Sequence, residues 1–249
     1  MSLAAPCPRQ TMYENGSLAQ VTGGPLRPGG WSLTERMLAQ CDLDAGQRVL
    51  DVGCGSGATI CYLVENHAVR VVGLDRSEML LHQGHLRQPD LPLTRSLVNS
   101  LPIANEQMDV VLSECSLSAM SDMEGFLAEA WRVLRVGGWL AISDVYVRNA
   151  DCVAQLRSLP LTCGVRSAST QAKIMQCVQE QGFENLLFED HSETLKEFSE
   201  QIVSTHGSIG AFWSQAEPQA DPLDVAIAIS KAKLGYFLLR ARKTRTSKD

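Results

Sequence analysis

The sequence is short of most features that would tie it to a membrane, a metal or a polyanion. No stretch approaches the roughly 18 consecutive apolar residues that a bilayer-spanning helix needs. The first 25 residues hold no basic segment followed by an apolar one, so a secretory leader is not expected. Basic residues are in deficit: 22 Lys and Arg face 28 Asp and Glu, a formal net charge of -6. That balance argues against nucleic acid or a membrane surface as the main partner. The five histidines are scattered, and none of the eight cysteines forms a Cys-x-x-Cys pair, so no metal site is expected. Eight thiols without an export signal point to a reducing, cytoplasmic setting. The one basic cluster, Arg240, Arg242, Lys243, Arg245 and Lys248, reads as a frayed and solvated tail. There is no internal repeat and no long low-complexity linker.

What is present is ample material for a core: 249 residues, 45% hydrophobic and 20% charged, enough for one or two domains. Residues 1–30 are rich in Gly and Pro and read as an irregular N-terminal arm. A helix should start at Ser32, whose spacing to Glu35 makes a capping box. From Arg48 onward, short apolar runs at 48–52, 69–74, 92–98, 108–113 and 139–147 alternate with helical patterns at 58–66, 77–87 and 122–134. That alternation means a parallel sheet with helices on both faces. The second half predicts helices at 171–181, 193–204 and 222–233, with strands at 186–189 and 235–241. Segments 149–170 and 192–231 exceed a minimal sheet and are expected to cap an active site. The expected organisation is the arm followed by a single domain over 31–249.

The strongest chemical signal is Val49-Leu50-Asp51-Val52-Gly53-Cys54-Gly55-Ser56-Gly57, a strand running into a glycine loop that opens a helix. Glycines allow a sharp turn and a close backbone approach to a ligand beyond the strand's carboxyl end. Twenty residues beyond Gly55, Asp75 ends the next strand, where a carboxylate can take both hydroxyls of a ribose. Gly53-x-Gly55-x-x-Ala58 also satisfies the dinucleotide fingerprint in its G/A form, and a purely structural turn is the bland alternative. Asp51 separates the nucleotide readings. A carboxylate inside an apolar strand costs several kcal/mol unless it is paired. An amino-acid ammonium pairs with it, directly or through backbone or water, whereas a pyrophosphate repels it.

The ordered set Leu50–Gly57, Val72-Gly73-Leu74-Asp75, Leu101-Pro102, Met108-Asp109-Val110-Val111 and Arg132-Val133-Leu134-Arg135-Val136-Gly137-Gly138 resembles the class I S-adenosylmethionine-dependent methyltransferases over about residues 45–145. The resemblance implies a Rossmann-like, doubly wound α/β fold with seven mostly parallel strands, the last antiparallel. It implies S-adenosylmethionine as cofactor, with Gly53, Gly55 and Gly57 cradling the methionine part, Cys54 and Asp51 beside them, Asp75 and Arg76 at the ribose, and Met79 near the adenine. Leu97 stands where many members carry an acidic residue for the adenine amino group. Adenine is then expected to be read around Val98 and Asn99. Ser113 and Glu114 would line the methyl-transfer side, with Glu114 as the acid-base or orienting group. In the glycine turn, Val136 replaces the usual proline.

A closer similarity, to the arsenite methyltransferases, rests on Ser113-Glu114-Cys115-Ser116-Leu117-Ser118, on Ala141-Ile142-Ser143-Asp144 and on Pro160-Leu161-Thr162-Cys163-Gly164. It implies that Cys115 and Cys163 line a thiolate pocket for a soft metalloid. Cys61 lies about one residue from a third family cysteine, and no cysteine follows Cys177. In the arm, Tyr13 either closes over the cofactor or is a surface aromatic, and Arg27 and Trp31 are expected to line the methionine end of the site. His191 and His206 read as structural rather than as bases. The reaction implied is in-line displacement at a sulfonium methyl on a small-molecule acceptor, where positioning supplies much of the rate. The rivals are an NAD(P)-dependent oxidoreductase and a non-catalytic cofactor-binding protein. Against the first, Tyr146 lacks a lysine four residues later.

Overall fold

A computed structural model describes residues 10–22, 25 and 27–244 of the chain. Seven strands are present: β1 Arg48–Val52, β2 Arg70–Asp75, β3 Leu93–Arg95, β4 Met108–Glu114, β5 Leu134–Val147, β6 Glu184–Asp190 and β7 Leu234–Arg242. They form one sheet in the order β3-β2-β1-β4-β5-β7-β6. β1 pairs parallel with β2 on one side and with β4 on the other, so Asp51 lies opposite both Gly73 and Leu112. β7 inserts antiparallel between β5 and β6. The chain leaves β1 in one direction for β2 and β3, then returns to the other side for β4. Such a switch point opens a crevice beyond the carboxyl ends of the strands.

Ten helices surround the sheet among the described residues: α1 Ser17–Thr22, α2 Gly30–Ala39, α3 Ala58–Asn66, α4 Glu78–Arg87, α5 Met123–Val133, α6 Val153–Ser158, α7 Gln171–Glu180, α8 Ser192–His206, α9 Ile209–Ala216 and α10 Pro222–Ala232. Because β1 is buried on both faces, its residues alternate between two cores. Val49 joins Leu33, Met37 and Leu38 of α2, Ile60 and Leu63 of α3, and Ala228 and Ala232 of α10. Leu50 and Val52 join Phe126, Leu127 and Ala130 of α5 with Ile174 and Val178 of α7. Each large side chain so buried is worth roughly 1.5–3 kcal/mol relative to exposure. A third core joins Met12 and Leu18 of the arm to Phe198 and Ile202 of α8, Phe212 and Trp213 of α9, and Val225 of α10. The arm and the late helices are therefore one packed unit.

Several local expectations are corrected. α2 starts two residues early, capped by Gly29 in a left-handed conformation. Ser32 instead donates to the Gly29 carbonyl at 2.9 Å. Glu35 leaves the capping box because its carboxylate takes the Tyr62 hydroxyl at 2.6 Å and the His67 ring at 2.8 Å. β3 is only three residues long; Leu97 makes an isolated bridge to Ser100 and leaves Val98 and Asn99 in a loop. The arm contains the short helix α1, and α9 was not foreseen. The basic tail is not frayed where it is described. Arg240 and Arg242 belong to β7 and lie over the Trp139 ring at 4.7 and 4.9 Å. Lys243 is buried, donating to the Leu134 carbonyl at 2.7 Å. Arg245 and Lys248 fall outside the described residues.

Candidate functional site

At the end of β1 the chain turns through Gly53, whose φ is +85°. A Cβ there would collide with the Ser116 side chain, so the β4–α5 connection and the glycine loop meet only because position 53 is bare. Gly53 and Cys54 donate their N–H groups to the Leu74 carbonyl at 2.7 and 3.1 Å. Gly55 then donates to Asp75 Oδ2 at 2.8 Å, and Ser77 donates its N–H to Asp75 Oδ1 at 2.7 Å. Asp75 is thus held at the tip of β2 with lone pairs to spare. Burial pushes its carboxyl up against the opposing effect of those N–H groups.

Asp51 is 2% exposed and accepts no hydrogen bond from any described residue. Burial first, then the negative charge of Glu114, push its carboxyl up to about 8, while Arg27 acts in the opposite direction. Glu114, at the tip of β4, is by contrast saturated. Thr34 and Thr59 donate their hydroxyls to its two oxygens at 2.8 and 2.7 Å, and Arg27 Nε lies 3.0 Å from Oε1. A carboxylate so occupied is an orienting group rather than a base.

These residues line a cleft of about 640 Å³, within the range of small-molecule sites. Its roof is the arm, through Thr11, Tyr13, Glu14, Gly16 and Ala19. The arm is pinned at both sides of the cleft. Ser77 donates its hydroxyl to Glu14 at 2.6 Å, and Met12 donates its N–H to Thr162 at 3.0 Å. The Tyr13 oxygen accepts the Gly164 N–H at 3.2 Å and donates to no described residue. Burial, and then Cys115 and Cys163, push the phenol well up, so it keeps its proton. Among the described lining residues none comes from 149–170 or 192–231. Those segments buttress the arm from behind.

The structure brings together most of the residues singled out from sequence. Asp51, Gly53, Cys54, Gly55, Asp75, Arg76, Val98, Asn99, Glu114 and Cys115 all line the cleft, as do Tyr13 and Arg27, with Leu97 at the rim. Six residues do not line it: Trp31 and Cys61, and the four described next. Met79 is 38% exposed on the outside of α4, touched by Gln10; one step along the helix, Leu80 takes the wall. Ser113 is fully buried and braces Ser116 through a hydroxyl contact of 2.8 Å. Gly57, with φ +79°, caps α3, and a Cβ there would press on Leu93 and Leu91 at 3.0–3.3 Å. Cys163 packs in the third core, and burial pushes its thiol up to about 12. Cys115 does reach the cleft, from a strained φ of +53°, with its thiol also pushed well up by burial.

His191 pairs with Glu189 at 3.0 Å and His206 packs on Phe212; neither lines the cleft. Sequence reasoning gave no role to Thr34 and Thr59, which belong to no motif and are brought in only by α2 and α3 meeting the tip of β4, nor to Ser116, which was quoted within a motif and proves to brace the glycine turn through the Val52 carbonyl. It also missed Asp144, fully buried behind Cys115, which takes the Ser118 hydroxyl and N–H at 2.6 and 2.8 Å. Burial raises its carboxyl to about 6.

Known proteins of similar sequence carry the same framework. Residues 50–142 match the family described as "Methyltransferase domain". The chain is 33% identical over 131 residues to the methyltransferase GfsG of Streptomyces halstedii, covering 50% of this chain and 47% of that protein. It is 25% identical over 255 residues to the O-methyltransferase resE of Aspergillus sclerotiorum, covering 91% and 92%. Against the curated relatives matched above 30% identity, such as GfsG, the chain spans about half of their length. Among solved structures, phosphoethanolamine N-methyltransferase 2 of Haemonchus contortus, in complex with phosphomonomethylethanolamine and S-adenosylhomocysteine, superposes with TM-score 0.75 at 18% identity, over 94% of this chain and 58% of that one. The (4+2)-cyclase SpnF superposes with TM-score 0.74 at 24% identity, over 94% of each chain. The Rossmann-like methyltransferase fold is therefore shared, and the two names show that different reactions are run on it.

Proposed function

We propose that the chain is an S-adenosylmethionine-dependent methyltransferase acting on a small-molecule acceptor. The observation that carries this reading is the buried Asp51 carboxyl at the cleft floor, which takes no hydrogen bond from any described residue and lies two residues before the glycine turn and beside Asp75. A buried carboxylate without a partner is costly, and the ammonium of an amino acid offers one. The residues fit the cofactor from end to end. Asp51 suits the ammonium, and the turn at Gly53–Gly55 the methionine chain, since a Cβ at Gly55 would meet nothing closer than Leu80 at 3.9 Å. Asp75 and Arg76 suit the ribose, and Val98 and Asn99 the base. The match of residues 50–142 to a methyltransferase domain family supports the same assignment.

When bound, the cofactor supplies an electrophilic methyl on a neutral leaving group. The chain's own work is then alignment and exclusion of water. The arm closes the cleft from solvent. Glu114 ties α2, α3 and the arm to the tip of β4, setting the wall beside which Cys115 stands. Tyr13 offers a fixed hydroxyl proton to a lone pair of the acceptor. Because that phenol stays protonated and Glu114 is saturated, the acceptor arrives as a nucleophile in its own right.

The metalloid acceptor remains the finer version of this reading. It needs thiolates, and the elevated thiols of Cys115 and Cys163, with Cys163 outside the cleft, weigh against it. A dinucleotide brings no ammonium to Asp51, which weighs against the oxidoreductase. The free state of all seven described cysteines accords with a reducing, cytoplasmic location. Calorimetric titration with S-adenosylhomocysteine and, separately, with NAD(P) tests the cofactor. Binding of NAD(P) with no response to S-adenosylhomocysteine would sink the proposal. An acceptor panel of phenols, amines, thiols and thiol-liganded arsenite, scored by S-adenosylhomocysteine release, then tests catalysis. A protein that binds cofactor and turns over no member of a broad panel is a non-catalytic binder.

A further inference from the structure

The cleft offers donors to an anion and no free base to a proton. Four carboxylates line it among the described residues: Glu14, Asp51, Asp75 and Glu114. Glu14 is spent on the Ser77 hydroxyl and on the N–H and hydroxyl of Thr11. Glu114 is spent on Thr34, Thr59 and Arg27. Asp51 and Asp75 face the ammonium and ribose in the reading above. No histidine or lysine is among the described lining residues, and residues 1–9 contain neither, nor a carboxylate side chain. An acceptor that must lose a proton inside the cleft has nowhere to send it.

The groups that remain suit one kind of anion. Tyr13 accepts the Gly164 N–H and donates to no described residue, so its own proton is available. Beside it stands Cys115. Burial first, then Asp144, push that thiol up, and Arg27 acts in the opposite direction. Asp144 does not line the cleft, and its oxygens take the Ser118 hydroxyl and N–H and the Val145 N–H. Cys163 and Tyr236, which also face Cys115, are pushed up by burial and stay neutral. Cys115 thus keeps its proton and presents a weak S–H donor. Met120 adds a thioether to the same lining. One hydroxyl proton and two polarizable sulfurs leave a buried oxyanion short of the hydrogen bonds that its charge demands. A sulfur anion, whose charge is spread over a larger atom, demands fewer. Ionisation in solution selects the same class. At pH 7 about 3% of an ordinary thiol is thiolate, against about 0.1% of a phenol, and still less of an alkylamine is unprotonated. The cleft of about 640 Å³ must hold cofactor and acceptor together, which keeps the acceptor small.

We propose that the methyl acceptor is a small thiol that enters as its thiolate and takes a hydrogen bond from Tyr13; this rests on the S-adenosylmethionine reading above. The thiol gives its proton to water before it enters. Its sulfur lone pair forms the new S–CH3 bond as the sulfonium–methyl bond breaks, and the electrons of that bond stay on the departing sulfur. The products are a methyl thioether and S-adenosylhomocysteine, with nothing oxidised or reduced.

The experiment uses acceptors of one shape: benzyl mercaptan, benzyl alcohol and benzylamine. Thiophenol, cysteamine and 4-nitrophenol are added, the last because it ionises at pH 8 without a base. S-adenosylhomocysteine release is measured at pH 8 with saturating S-adenosylmethionine. The thiols are expected to exceed the oxygen and nitrogen acceptors by about a hundredfold or more in kcat/KM, the scale on which a site rejects a wrong group. Calorimetry of benzyl mercaptan binding to the S-adenosylhomocysteine-loaded protein, in two buffers of different ionisation enthalpy, should report close to one proton released per thiol bound. Tyr13→Phe should release clearly less and lose about tenfold in kcat/KM on thiols. Benzylamine, benzyl alcohol or 4-nitrophenol turned over as fast as the thiols overturns the proposal. So does thiol binding without proton release, or a protein that binds S-adenosylhomocysteine and methylates none of the three thiols. In each of those cases the cofactor reading stands; a protein that does not bind S-adenosylhomocysteine refutes that reading instead.

Discussion

If Asp51 is the ammonium partner, cofactor binding must be coupled to the release of a proton. The ligand-free carboxyl is pushed up to about 8, so at pH 6 only about one molecule in a hundred has it ionised. The ammonium pairs with the ionised form alone. The association constant for S-adenosylhomocysteine should therefore rise about tenfold per pH unit between pH 5.5 and 7.5, equivalent to about 1.4 kcal/mol per unit, and flatten near pH 8. Calorimetry at pH 6.5 in two buffers of different ionisation enthalpy should report close to one proton released per ligand bound. Asp51→Asn should bind with the weak affinity the wild type shows at low pH, with no slope and no proton release.

Stability must obey the same linkage. A folded carboxyl at about 8 against an unfolded value near 4 means that the native state holds a proton the unfolded chain gives up between those values. The ligand-free protein should lose up to about 1.4 kcal/mol per pH unit as pH rises from 4 to 8. Asp144, raised to about 6, adds to the lower half of that window. Asp51→Asn should flatten the thermal midpoint above pH 6. Binding without proton release, or an unaltered pH slope in Asp51→Asn, would refute the pairing.

Gly57→Ala should cost about 1–2 kcal/mol through its left-handed φ and its pressure on Leu93, seen as a lowered denaturant midpoint, while the folded fraction binds S-adenosylhomocysteine within about threefold of wild type. A selective loss of binding would return Gly57 to the cradle. Tyr13→Phe should melt within a few degrees of wild type and bind S-adenosylhomocysteine normally, yet lose about tenfold in kcat/KM for any acceptor found, the worth of about one hydrogen bond. Unchanged kcat/KM would remove Tyr13 from acceptor positioning. Cys163→Ala should cost about 1–2 kcal/mol as a core truncation and retain turnover. If it instead abolished arsenite methylation in a folded protein, the thiolate pocket would be reinstated.

Much of the cofactor half was legible in one dimension because its chemistry is local. The strand-to-glycine turn at 48–57 needs only bare positions in sequence, and Asp51 and Asp75 sit at strand ends that apolar runs mark plainly. Where the reading slipped, a single residue of phase was at stake. Met79 and Leu80 differ by one step around α4, and Ser113 and Glu114 by one step along β4, so motif position alone could not say which side chain faces the cleft. Glu35 looked like a capping residue until Tyr62 and His67, 27 and 32 residues on, offered better donors.

The amino-acid order by itself determined the parallel sheet, the site's place at the carboxyl ends of β1, β2 and β4, and the kind of ligand those ends can hold. It did so because hydrophobic periodicity and glycine spacing are properties of contiguous segments. Only the tertiary structure decided that the arm, rather than the late helices, roofs the cleft. Only it decided that Glu114 is spent on Thr34 and Thr59, that Arg27 and Asp51 share a wall, and that Cys163 belongs to a core. Those are facts about residues distant in the chain meeting in a space with little water, where each charge and hydroxyl takes whatever partner the packing brings within about 3 Å.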